Sequence, residues 1–131
     1  RKRGLDVEDG NIIAADPDAL PRELKKRFVE PERPNALFAI NDLTLMGVLR
    51  FVKDAGVRVP DEVAIINIDD VPFADIYTPA LTTIAQPTFA MGKKAAERVF
   101  EQMKAKKADG PRVFRFSPTL MERTSIRRGK E

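Results

Sequence analysis

The sequence predicts an α/β domain, a parallel sheet flanked by helices, and three observations carry that expectation. Ala36 to Ile40 is a short apolar run with no polar interruption, the pattern of a strand buried on both faces. Leu43, Met46, Leu49, Phe51 and Val52 then recur at helical spacing, between the capping chemistry of Asn41-Asp42 and a terminating Gly56. Val63 to Ile68 is again apolar and β-branched. Strand, helix and strand in this order read as a parallel pair joined by a right-handed crossover.

Asn41-Asp42 and Asp69-Asp70 both follow the C-terminal end of an expected strand. In a parallel sheet those ends share one edge, and open α/β sheets bind ligands there. An amide and a carboxylate pair are therefore expected to face one crevice, as a binding site rather than a catalytic one.

The other elements follow in chain order. Arg1 to Leu5 reads as the last turn of a helix closed by Gly4, so the chain is expected to be a fragment that starts inside a helix. Asn11 to Ala15 is a short strand candidate. Asp16-Pro17 offers a cap and a proline at the first helical position, ahead of a helix with Leu20, Leu24 and Phe28 on one face and Pro31 as its stop. Beyond Asp70, residues 71–79 form a short helix or turn bearing two exposed-looking aromatics, Phe73 and Tyr77. Ala80 to Ala85 is extended. The longest helix spans about Thr88 to Lys106, with Phe89, Gly92, Ala96, Val99, Phe100 and Met103 on its apolar face. Pro111–Phe116 and Thr119–Thr124 are expected as two strands, and Arg127–Glu131 as a frayed tail.

Composition narrows the chemistry. At 131 residues, with 43% hydrophobic and 33% charged residues, one modest core is expected. No apolar run reaches membrane-spanning length, and nothing near Arg1 resembles a signal peptide. The chain has no cysteine and no histidine, which removes thiolate chemistry, the commonest metal ligand and the commonest general base. A cytoplasmic location is expected, with no membrane partner, no cofactor, no metal and no enzymatic activity. Residues 1–87 hold 11 Lys and Arg against 15 Asp and Glu, whereas residues 88–131 hold 12 against 5. The basic C-terminal part could touch nucleic acid, but Lys93, Lys94, Lys104, Lys106 and Lys107 read more simply as a solvated helix face.

Several other patterns compete. Thr44–Val59 suggests a helix-turn-helix, yet its second helix would be crowded by Val63, Ile65, Ile66 and Ile68. A phosphoacceptor receiver needs an isolated acceptor Asp and a later Lys, and Ile84-Ala85-Gln86 supplies none. Magnesium at Asp69-Asp70 would find only Asn41 and Asp42 as further oxygen ligands. A Ser or Thr hydrolase lacks a base. Plainer roles stand beside the functional ones. Asp70 suits a capped turn, Asp42 a helix cap, and Asn41 either a cap or a ligand contact. Gln86 reads equally as an ordinary polar residue, and Phe73 and Tyr77 as core beneath a loop.

A set of short words then resembles the sensor domain of LacI/GalR-family transcription regulators. They are Arg33-Pro34-Asn35-Ala36, Ala39-Ile40-Asn41-Asp42, Met46-Gly47, Gly56-Val57-Arg58-Val59-Pro60, Ile65-Ile66-Asn67-Ile68-Asp69-Asp70, the run from Pro79 to Pro87, Met91-Gly92, and Leu120-Met121-Glu122-Arg123-Thr124-Ser125. Their order and spacing match the family from about Pro34 to Ile126. Two positions depart from it: Asn67, where the family usually has glycine, and Pro17, near a position where many members place an aromatic.

The resemblance implies the C-terminal lobe of a periplasmic-binding-protein-like type I fold. Residues 1–87 would be that lobe, 88–110 a helix packed on an N-terminal lobe, 111–126 the returning strands and 127–131 a tail. It further implies effector contacts from Asp69, Asn41 and Gln86, with Thr88 as a weaker fourth, and a homodimer surface from Met46, Leu49, Phe73 and Tyr77. The partners would be a small-molecule effector, a sugar or nucleoside-like molecule, and operator DNA held through a headpiece outside this chain. The alternative on the same fold is a periplasmic sugar-binding protein of an ABC transporter.

Overall fold

A computed structural model describes residues 11–29, 31, 33–104 and 110–127. The expected helix end at Arg1–Leu5 and most of the tail lie outside these residues. The described elements are α1 (Leu20–Phe28), β1 (Ala36–Ala39), α2 (Asp42–Ala55), β2 (Ala64–Ile68), β3 (Thr82–Ala85), α3 (Thr88–Lys104) and β4 (Thr119–Met121). The strands form one sheet in the order β1-β2-β3-β4. β1 pairs with β2 and β2 with β3 in parallel, while β4 returns antiparallel to β3. The parallel α/β expectation holds, with one antiparallel edge.

Helix α2 is fixed at both ends by local chemistry. The N-cap is Asn41, whose Oδ1 accepts from the Thr44 amide at 2.9 Å and from the Thr44 hydroxyl at 2.9 Å. Asp42, expected as the cap, is instead the first helical residue, because the chain is still extended at Asn41 (φ −167°). Gly56 closes the helix with φ 64°, a left-handed turn in which Val57 N–H reaches the Val52 carbonyl. Between these ends Leu45, Val48, Leu49, Phe51 and Val52 are buried. Residues 17–19 form a turn rather than the first turn of a helix, so α1 begins only at Leu20, with Pro21 in its first turn.

The core lies between α2 and one face of the sheet, with α1 packed against α2. Alternation along β1 and β2 sends Ala39 and Ile65 into it, while Phe38 (54% exposed) points to the opposite face. Leu20, Leu24, Val63, Val71, Ala74 and Leu81 complete the core. The segment after β2 is a turn; its Phe73 and Tyr77, expected as exposed, are half-buried against that core.

Two expected strands are absent among the described residues. Asn11–Ala15 pairs with no strand there, and only Ile13 packs on the core. Pro111–Phe116 joins no strand and runs beside α3, with Lys94 Nζ 5.1 Å from the Phe114 ring centroid and Arg98 Nη2 donating to the Gly110 carbonyl at 3.4 Å. Helix α3 buries none of its residues and packs on no other described helix or strand.

Phe51 is 2% exposed and packs on Phe28 with ring centroids 4.7 Å apart. Phe51→Ala empties the middle of the core and should cost about 3–5 kcal/mol. Chemical denaturation of the intact protein checks it through the displacement of the unfolding midpoint.

Candidate effector site

The parallel register brings three candidate side chains to one rim. Ala39 faces Asn67 across β1 and β2, and Ile68 faces Ile84 across β2 and β3. Two residues further along each strand stand Asn41, Asp69 or Asp70, and Gln86. Neighbouring strands lie about 4.8 Å apart, so these positions fall within reach of one small molecule. The expected common edge is therefore present.

At Asp69 the chain takes φ 79°, the one positive φ outside glycine among the described residues. Left-handed backbone is unfavourable for a residue with a Cβ and needs holding. The Asp69 N–H donates to the Ile84 carbonyl at 3.0 Å, and Asn67 Nδ2 donates to the Asp69 carbonyl at 2.8 Å. The turn lets adjacent carboxylates diverge. Asp69 Oδ1 accepts from Gln86 Nε2 at 2.6 Å, at the rim.

Asp70 turns the other way. Its Oδ1 accepts from the Thr83 hydroxyl at 2.7 Å and from Arg123 Nη1 at 2.8 Å, and its Oδ2 from Arg123 Nη2 at 3.2 Å. The Arg123 guanidinium, with the Thr83 hydroxyl second, holds the Asp70 carboxyl below the ordinary carboxylate range. Asp70 in turn raises the Arg123 pKa. Arg123 Nη1 also donates to the Leu81 carbonyl at 2.7 Å. Asp70 is thus a structural ion-pair partner of Arg123, in place of the turn cap that its plainer reading expected. The two carboxylates face different partners, and among the described residues no three Asp or Glu side chains gather in one group.

The remaining residues take distinct roles. Asn41 spends Oδ1 on Thr44, so its rim-facing chemistry is the Nδ2 donor. Thr88 is exposed at the start of α3, and its backbone N–H donates to the Gln86 carbonyl at 2.8 Å. Its hydroxyl makes no hydrogen bond to Asp69, Gln86 or Asn41. Asn41, Gln86 and Thr88 are exposed and Asp69 half-exposed, so the rim is an open wall.

A separate depression of about 420 Å³ is lined by Met46, Leu49, Arg50, Lys53, Phe73 and Tyr77. It contains all four residues expected at a dimer surface. Two features had no place in the sequence reading. Arg123 lies 53 residues from Asp70, and no local pattern pairs them. Ser125 is fully buried, its hydroxyl donating to the Ile65 carbonyl at 2.6 Å and accepting from the Thr82 N–H at 2.8 Å. Both fall in the Leu120–Ser125 word, which was the available signal.

The family model of the periplasmic binding protein-like domain matches residues 1–126. The chain belongs to this family. Its relatives in sequence are regulators: it is 32% identical over 128 residues to the probable HTH-type transcriptional regulator EndR of Paenibacillus polymyxa, covering 95% of this chain and 38% of that one. It is 40% identical over 96 residues to the HTH-type transcriptional repressor PurR of Photobacterium profundum, covering 73% and 28%. Among solved structures, a transcriptional regulator CelR–cellobiose complex superposes with a TM-score of 0.79 at 25% identity, over 95% of this chain and 38% of that one. The chain spans about a third of the length of these relatives, and so corresponds to part of their length only. The expectation of a LacI/GalR-type sensor domain stands.

The Asp70–Arg123 pair generates a pH dependence. Because the folded-state carboxyl titrates below its unfolded value, its contribution is complete above the ordinary Asp range and is lost as pH falls through the depressed value. Asp70→Asn should lower stability by about 1–2 kcal/mol at pH 7 and flatten the stability loss on acidification below about pH 4. Urea unfolding midpoints for both proteins between about pH 3 and pH 7 check this.

Proposed function

We propose that this chain is the effector-binding and dimerisation portion of a LacI/GalR-type transcription regulator. The observation that carries the reading is the Asp69–Gln86 pair at the strand-end rim, one register step from the Asn41 amide. It supplies acceptors at Asp69 Oδ2 and Gln86 Oε1 and a donor at Asn41 Nδ2, suited to a small polyhydroxylated or amino-bearing molecule. Cellobiose is bound in the CelR complex, which supports a sugar as the first class to test. Residues 1–87 and 111–126 would form one lobe. The helix over 88–110 would seat its exposed Phe89, Phe100 and Met103 on a second lobe, and closure around the effector would shift the geometry of a DNA-binding headpiece. A cytoplasmic setting follows from that role.

Left-handed backbone at Asp69 decides which variant tests the site. Alanine there would add strain, whereas asparagine tolerates the conformation, removes the charge and replaces one acceptor oxygen with an amide donor. In the full-length regulator, Asp69→Asn should weaken the effector found by a thermal-shift screen of sugars and nucleosides about tenfold to a hundredfold, with a nearly unchanged melting temperature. Calorimetry checks it, and undiminished affinity would remove Asp69 from the site.

The apolar depression at Met46, Leu49, Phe73 and Tyr77 is the proposed homodimer surface, rimmed by Arg50 and Lys53. A C2 contact would place it against its own copy. Tyr77→Asp buries an unpaired carboxylate there and should yield monomers in sedimentation velocity; a persisting dimer would move the surface elsewhere.

A further inference from the structure

We infer that Asn67 is a positioning residue of the rim, its side-chain amide holding Asp69 in the conformation that presents the carboxylate to Gln86. The inference rests on the rim being the effector site, and deepens it. Asn67 is fully buried on β2, yet the one hydrogen bond its side chain makes among the described residues is Nδ2–H to the Asp69 carbonyl, at 2.8 Å, two residues along the chain. Its Oδ1 is buried with no hydrogen-bond partner among the described residues. An amide placed for stability would satisfy both ends. This one satisfies a single atom, and that atom belongs to the residue with the strained backbone.

The geometry shows why the bond matters. Asp69 has φ 79°, and a non-glycine residue stays there only when its surroundings over-determine it. The Asp69 peptide groups are clamped from two sides, N–H by the Ile84 carbonyl on β3 at 3.0 Å and C=O by Asn67 on β2 at 2.8 Å. The first bond continues the ladder and does not select the sign of φ. The second adds the constraint on the far side of the Asp69 Cα. Together they fix the direction of Cβ, and the carboxylate meets Gln86 Nε2 at 2.6 Å. Oδ1 is thereby committed to Gln86 and Oδ2 kept for the effector. A glycine at 67, the residue usual in the pattern this chain resembles, cannot make the tether. Ordering Asp69 before the effector arrives removes part of the entropy that binding would otherwise cost.

The test is nuclear magnetic resonance on the full chain without effector, so it is independent of whether the rim binds one. In the unaltered protein, the Asn67 side-chain amide should exchange slowly and show scalar coupling to the Asp69 carbonyl across the hydrogen bond. Asp69 should show the short intraresidue HN–Hα distance of positive φ. In Asn67→Ala and Asn67→Gly, that distance should lengthen on average, and the Gln86 side-chain amide should exchange about tenfold faster. The melting temperature should move little, because each variant removes an unpaired buried acceptor together with one bond. An Asn67 amide with no coupling to Asp69 in the unaltered chain would overturn the inference even if neither variant folds. So would a variant that keeps both the Asp69 distance and the Gln86 exchange rate. Calorimetry on Asp69→Asn separates the two ideas: unchanged affinity there sinks the rim as effector site, and leaves the tether to be judged by the spectra.

Discussion

Parallel pairing of β1 with β2 and of β2 with β3 is the constraint on which the rest of the structure depends. A one-residue slip in either pair would turn Ala39 and Ile65 out of the core. It would also carry Asn41, Asp69 and Gln86 out of step with one another. The buried Ser125 hydroxyl secures the register where β2 and β3 begin, joining the Ile65 carbonyl to the Thr82 N–H. Core and rim are thus set by the same ladder, the core by its side-chain alternation and the rim by where its strands stop.

The rim separates two carboxylates that are neighbours in sequence. Asp70 is given to Arg123 and Thr83, a partly buried pair that fastens the returning chain to the loop after β2. Asp69 is given to Gln86 and solvent. A single residue with left-handed backbone achieves the division, and two carboxylates that would repel one another on one face end in different environments. One then acts in stability, and the other is open to solvent.

What could be read from the sequence was whatever depends on near neighbours. Ala36–Ile40 and Val63–Ile68 are dense in β-forming side chains, and α2 carries its own stop signals in Asn41 and Gly56, so strand, helix and strand were legible along with the shared rim. Asn11–Ala15 and Pro111–Phe116 have comparable apolar patterning but no adjacent ladder among the described residues, and a strand is defined by its partner as much as by its composition. The choice of Asn41 over Asp42 as cap turned on one extended φ, which the two residue types do not distinguish. The φ of Asp69 was equally hidden, because Asn67 holds it through a side-chain bond to a backbone carbonyl. Arg123, placed far along the chain, reaches Asp70 only once the sheet has brought them together.

That last separation bears on how the lobe is made. The contacts of Arg123 and Ser125 with residues near 65, 70 and 82 are long-range in sequence, and all of α3 is synthesised between the two halves. On the ribosome, β1, α2 and β2 can dock as soon as they emerge, because their contacts are local. The carboxylate of Asp70 must wait for another 53 residues of translation and the start of β3 for another 43, about 2–11 seconds at ordinary elongation rates. During that interval the nascent sheet carries an unclosed edge at β3, and the lobe is open to chaperones and to pairing with a neighbouring chain.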